Sequence, residues 1–220
     1  MIDSAESAVR VAGAVGLVVA WATAGWGAAR AASQAPGRGA GLAPRIHALG
    51  AYALVGIPYA VVCVLLWRRL PIGLSPTLRI AALAAGATLG AAGLGLYLWG
   101  RLSLGDMYNI SSGLGSELFA SHRLVTSGPY RIVRHPMYAG LIAGAFGALL
   151  VYRTWTTVFV VAALPGAVRK AHEEERLLAE EFGDAYESYR RLVPRWWPRL
   201  RVRSTRSSSE AAAPTMEGGS

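Results

Sequence analysis

The densest run of chemically able side chains is Ser121-His-Arg-Leu-Val-Thr-Ser-Gly-Pro-Tyr-Arg-Ile-Val-Arg-His-Pro-Met-Tyr138, followed after an apolar stretch by Glu173-Glu174-Glu175. Such a mixture of imidazole, guanidinium, phenol and carboxylate suits capture of a polar ligand. Cys63 is the single cysteine and sits inside an apolar run, so neither a disulfide framework nor a cysteine-based metal site is available. Gly128-Pro129 marks a turn. Pro136 pushes His135 out of the helical region and can itself open a helix, which presents His135 at the helix mouth. Taken singly, each residue has an ordinary explanation. Three glutamates near a helix start compensate its dipole, Arg131 and Arg134 suit lipid phosphate, and Tyr186 and Tyr189 suit a core or an interface. The combination of His135-Pro136-x-Tyr138 with Glu174 downstream is what points to a site.

Those residues need elements to hold them, and the composition specifies which kind. Of 220 residues 53% are hydrophobic and 16% charged, below the roughly 25% charge of soluble domains, and mean hydropathy is +0.35. Long uncharged runs predict an all-α integral membrane protein of one domain over residues 1–203, with a disordered tail over 204–220. Val11 to Ala29 lies between Arg10 and Arg30, and its 19 residues reach about 28 Å, close to a hydrocarbon core. Residues 46–67 and 80–100 give two further spans. The third carries Gly86 and Gly90 at the small-xxx-small spacing that lets backbones approach closely. Its Gly93-x-Gly95 pair is packing and not a phosphate loop, because no strand precedes it.

Arg153 interrupts the next apolar stretch. A single span would hold it mid-bilayer at a cost of about 2.5 to 3.5 kcal/mol. A hairpin of two short helices, 139–152 and 154–168, puts it at the interface instead, beside Tyr152 and Trp155. About five transmembrane helices result, the last two a short hairpin, with a cytoplasmic C-terminal helix after them. The net charge is +9, and all but Lys170 of the 22 basic residues are arginines. With five spans, 17 basic residues fall on the side of the long loop and the C-terminus and five on the other, which places the site and the C-terminus in the cytoplasm. The arginines flank apolar runs and form no aromatic-basic stripe, so membrane lipid and not nucleic acid is the expected partner.

The pattern His122-x-Leu-Val-Thr-Ser-Gly-Pro-Tyr-Arg-x-Val-Arg-His-Pro-x-Tyr-x-Gly140, with Glu-Glu, Phe182-Gly183, Tyr186-x-x-Tyr189 and Val193-Pro194 after it, resembles the isoprenylcysteine carboxyl methyltransferase family. Phospholipid methyltransferases and bacterial small-thiol methyltransferases are its relatives. The resemblance spans roughly residues 115 to 198. It implies S-adenosylmethionine as cofactor, held between segments 121–138 and 169–198, and no metal. His122, Leu124 and Val125 would line the cofactor mainly through backbone groups and Tyr130 would pack on it. His135, Pro136, Met137 and Tyr138 would complete the loop side, and Glu174 would hold a polar group. A sulfonium with an ammonium group suits a carboxylate and aromatic faces.

The family tends to place an arginine one turn before that glutamate to hold a substrate carboxylate. Here Lys170 stands four before Glu174, and Arg169 four before Glu173. Lysine is the poorer bidentate partner, so these two are candidate substrate contacts that weigh against a carboxyl acceptor. The expected acceptor is lipophilic or a small molecule: an isoprenoid-linked carboxylate, a phospholipid amine or a small thiol. The alternatives are an NADPH-dependent membrane reductase related to the sterol reductases, and a non-catalytic relative. Arginine, alanine and glycine bias points to a bacterial cytoplasmic membrane.

Overall fold

The computed structural model describes residues 2–31, 36–41, 48–108, 115–119 and 122–198. The expected 204–220 tail, His47 and Ser121 lie outside them. Helix α1 runs Ile2–Ala31, α2 Ala48–Leu65, α3 Pro76–Leu104, α4 Pro136–Tyr152, α5 Trp155–Ala162, α6 Leu164–Phe182 and α7 Asp184–Leu192. The one departure from an all-α chain among the described residues is an antiparallel pair of strands, β1 Pro36–Gly41 and β2 Gly115–Phe119. Two helical segments, Ile2–Gly27 and Pro76–Met107, are long and apolar enough to cross a membrane, and little of either is buried inside the molecule. Their side chains face outward as lipid-exposed helices require: Val11, Val18 and Leu78 are all more than half exposed.

Helix α3 begins on a cap, the Ser75 hydroxyl accepting from the Leu78 N–H at 3.4 Å with Pro76 in the first turn, and ends on Gly105 at a φ of 52°. It therefore starts before residue 80 and runs past residue 100. The main seam is α3 against α4, antiparallel, and it is built from glycines. A Cβ on Gly86 would meet the Gly147 carbonyl oxygen at 2.8 Å, and one on Gly93 would meet that of Gly140 at 2.6 Å. Gly100 faces Met137 and Pro136 in the same manner. Backbones this close gain dispersion contacts that side chains would block. Gly95, by contrast, has nothing near it, so only the first glycine of the Gly93-x-Gly95 pair packs. Helix α1 lies parallel to α3, with Gly16 against Leu94 and Gly27 against Tyr108 and Arg101.

At Arg153 the helix stops in the left-handed region, φ 51° and ψ 53°, the one non-glycine positive φ among the described residues. Its side chain donates back to the Leu150 carbonyl at 2.8 Å, which offsets part of the steric cost of that conformation. Thr154 and Thr157 then form a reciprocal cap that opens α5. Helix α5 returns along α2, with Tyr59 against Phe159 at 5.4 Å and the Thr156 hydroxyl on the Cys63 carbonyl at 2.6 Å. The expected arm 154–168 is not one helix: it breaks at Ala163, and Pro165 sits in the first turn of α6. A proline there favours a helix start, since its missing N–H has no intrahelical partner to lose.

Beside this turn lies a buried acid. Glu6 is 3% exposed and accepts from Arg10 of its own helix, Arg79 of α3 and Arg153 at the α4–α5 turn. Arg79 also reaches Asp3. Four elements are thus tied at one end by a carboxylate that reads, in sequence, as part of an acidic start.

Candidate functional site

The other end of the α3–α4 seam carries the loop. Residues 122–126 are extended, and Gly128, at φ 60° and packed against Ser103, admits no side chain. A short 3-10 turn, Gly128–Arg131, buries Pro129 and Tyr130. The Tyr189 hydroxyl of α7 donates to the Tyr130 carbonyl at 2.6 Å. The loop then pairs by its backbone with the segment after α7, Arg134 N–H to the Pro194 carbonyl at 2.9 Å and His135 N–H to that of Arg195 at 3.2 Å. Pro136 opens α4 with His135 just before it outside the helical region, at φ −123° and ψ 60°.

Consecutive glutamates on α6 point in different directions, about 100° apart per residue, and do three jobs. Glu173 takes the Lys170 ammonium at 2.8 Å. Glu174 accepts from the Tyr138 hydroxyl at 2.7 Å. Glu175 sits beneath the loop, accepting from Arg134 Nε at 3.0 Å, Arg195 Nε at 3.1 Å and His135 Nε2 at 2.9 Å. Burial alone would raise the Glu175 carboxyl. The hydrogen bonds from His135, Arg195 and Arg134 overcome it and hold the group well below the usual carboxylate range. His135 is further fixed by ring contacts to Trp196 at 5.3 Å and Tyr138 at 5.7 Å.

Above this support lies a cavity of about 290 Å³. His122, Leu124, Val125, Tyr130, His135, Met137, Tyr138 and Glu174 all line it. Pro136 does not; it is fully buried behind the lining, against Gly100. Lys170 and Arg169 do not line it either. Lys170 is held by Glu173, and Arg169 is exposed on the outer side of the helix. Residues outside the candidate set complete the wall: Tyr97, Leu104 and Tyr108 from α3 and its end, Leu177 and Leu178 from α6, and Tyr186 and Tyr189 from α7. The helical spacing of Leu177, Tyr186 and Tyr189 marks them as one buried face, which a core would share. Tyr97 sits in an apolar span with nothing in the sequence to separate it from a packing residue.

Six tyrosines therefore line the cavity together with one carboxylate. Among the described residues Glu174 has no cation as partner, while Arg134 and His135 are directed to Glu175. Burial, with the Glu174 charge behind it, pushes the Tyr130 phenol far up. Burial does the same to Tyr189, and pushes Tyr186 up to about 12. Burial lowers His122, against the opposing charge of Glu181. The Tyr130, Tyr186 and Tyr189 phenols are therefore not bases near neutral pH. The lining combines the Glu174 carboxylate and the Arg123 and Arg134 guanidinium groups with aromatic faces and apolar walls; the carboxylate and the rings fit a ligand that carries a cation and a flat ring.

The comparisons agree with that chemistry. Residues 81–185 match the phospholipid methyltransferase family. The chain is 33% identical over 110 residues to protein-S-isoprenylcysteine O-methyltransferase of Schizosaccharomyces pombe, covering 49% of this chain and 47% of that protein. It is 30% identical over 156 residues to methanethiol S-methyltransferase 2 of Bradyrhizobium diazoefficiens, covering 67% of this chain and 58% of that one. A third relative is the cobalt-zinc-cadmium resistance protein CzcN of Cupriavidus metallidurans, 34% identical over 122 residues, 51% of this chain and 49% of that protein. The chain thus spans about half the length of the curated relatives it matches. The match reaches from the glycine seam to the glutamate helix, and over it the chain is similar to the isoprenylcysteine carboxyl methyltransferase-like family, with phospholipid and thiol methyltransferase relatives.

Proposed function

We propose that the protein is an S-adenosylmethionine-dependent methyltransferase of a bacterial cytoplasmic membrane, with its site toward the cytoplasm and a lipophilic or small-molecule acceptor. The observation that carries this reading is Glu174, a carboxylate without a cation in a tyrosine-lined cavity where the loop meets α6. When bound, the cofactor supplies an electrophilic methyl group on a positively charged sulfur. Glu174, oriented by Tyr138, would take its ammonium group, and Tyr130, Tyr97 and Tyr108 would offer ring faces. Leu124 and Val125 would line the adenosine side through backbone groups.

Methyl transfer is displacement at carbon: the acceptor lone pair forms the new bond as the carbon–sulfur pair returns to sulfur. Such a step needs alignment and exclusion of water more than a strong base. The buried phenols and apolar walls meet that need. His135 acts here by holding the loop, its Nε2 on Glu175, and not as a proton acceptor. With Lys170 on Glu173 and Arg169 outside the cavity, neither residue reaches an acceptor there, and the cations on the cavity wall are Arg123 and Arg134.

Calorimetric titration of the detergent-purified chain with S-adenosylmethionine and, side by side, with NADPH tests the reading. Binding of the first is expected, with loss of at least about tenfold in affinity in Glu174→Gln, the scale of a buried charged hydrogen bond. Binding of NADPH alone by folded protein would overturn it in favour of a reductase. Labelled-methyl transfer into cell extract then identifies the acceptor.

A further inference from the structure

A second cavity, about 420 Å³, opens at the end of the bundle away from Glu174. It is lined by Ser7 and Arg10 of α1, Trp67 and Arg69 beyond α2, and Tyr152 and Thr154 at the α4–α5 turn. Nothing in the methyl-transfer reading uses it. This end holds Arg10, Arg68, Arg69, Arg79 and Arg153 against Asp3 and Glu6, an excess of three positive charges. Both acids are taken: Glu6 by Arg10, Arg79 and Arg153, Asp3 by Arg79.

Two guanidinium groups retain capacity at the cavity. Arg10 lines the cavity and donates through Nη2 to Glu6 and to the Val151 carbonyl, which leaves its Nη1 without a bond among the described residues. Arg69 is exposed and makes no ion pair among the described residues. Trp67 and Tyr152 stack at 5.6 Å beside them, the aromatic pair expected at a membrane–water boundary. From the cavity an apolar stripe runs along α1 through Val11 and Val18, with Val64 and Leu65 exposed at the end of α2.

We propose that this cavity binds the phosphodiester of an anionic phospholipid, which the Arg10 and Arg69 guanidinium groups hold while the acyl chains lie along the exposed apolar side chains of α1 and α2. An excess of positive charge selects a net-negative headgroup over a zwitterionic one. The assignment rests on the embedding of the bundle and is independent of the methyltransferase reading.

The test uses the full chain in detergent, with phosphatidylglycerol, phosphatidylcholine or inorganic phosphate added, read by native mass spectrometry and thermal unfolding. Phosphatidylglycerol is expected to be retained and to raise Tm, and Arg69→Gln to weaken its binding about fivefold, the contribution of one basic residue near an anionic surface. Ser7→Glu, which removes no existing bond and adds a negative charge at the cavity wall, is expected to abolish retention. S-adenosylmethionine titrations of both variants are expected to match the parent chain. Equal retention of phosphatidylcholine, saturation by inorganic phosphate alone, or unchanged phosphatidylglycerol binding in both variants would overturn the proposal.

Discussion

Two buried glutamates stand at opposite ends of the same glycine seam, and each is ringed by basic side chains. Glu6 is held by arginines that sit in α1 and α3 and at the α4–α5 turn. Glu175 is held by Arg134, His135 and Arg195, all from chain that lies outside helices and pairs by its backbone. The chemistry is alike and the mechanical result is not. A carboxylate tied to helices locks an arrangement that apolar packing already favours. One tied to irregular chain supplies the order that loop and tail lack, and at that end the ordered residues are the wall of the cavity. Buried ion pairs of both kinds are expensive to break by halves. They should differ in what else is lost.

Removing the acid at the cavity end should have the largest effect. Glu175→Ala leaves three donors without their acceptor, and we expect a stability loss of about 3–5 kcal/mol in denaturant unfolding. Cofactor affinity should fall at least about tenfold, read by calorimetry on the folded fraction. Glu6→Ala should lower stability on the same scale of about 3–5 kcal/mol yet leave cofactor affinity within about twofold. A matching fall in affinity would erase the distinction between the two ends. Between them, Gly140→Ala forces a Cβ to within 2.6 Å of the Gly93 carbonyl oxygen and should cost about 1–3 kcal/mol. Gly95→Ala, with open space around it, serves as the control and should be near neutral.

A smaller effect is expected with pH. Glu175 is held below its ordinary value of 4.5, so its stabilisation is fully present above about that pH and fades as pH falls from there toward the folded value. Unfolding free energy followed from pH 6 downward should decline below about 4.5. In Glu175→Gln that decline should be shallower. An equally steep curve in the variant would assign the acid sensitivity to other carboxylates.

How much of this was legible in the sequence divides along similar lines. The apolar runs, the break at Arg153 and the loop opening α4 at Pro136 follow from local rules; α1 to α4 overlap those runs, while the arm 154–168 divides between α5 and α6. The His122 to Tyr138 motif could be read as one wall of a site because its residues are contiguous, and all but Pro136 of the chosen loop residues line the cavity. The division of labour among Glu173, Glu174 and Glu175 depends on the roll of α6 against the loop, which no local pattern encodes. Glu6 looked like an acidic start because its partners, Arg79 and Arg153, are far away in sequence. The break at Ala163 was missed although Pro165 marks it, because the apolar stretch reads on through both. Tyr97 and Tyr108 came to the cavity only through the packing of α3 on α4.

The seven-residue spacing of Gly86, Gly93 and Gly100 also limits how this lineage can change by insertion and deletion. Side chains elsewhere on α3 can be exchanged one at a time. A single residue gained or lost within it would turn everything beyond that point by about 100°. The small face would leave α4, and the helix would present bulk where backbone must touch backbone. A one-residue insertion in this segment should therefore cost more than the exchange of an exposed α3 side chain, and length variants should be tolerated only where the chain leaves the seam.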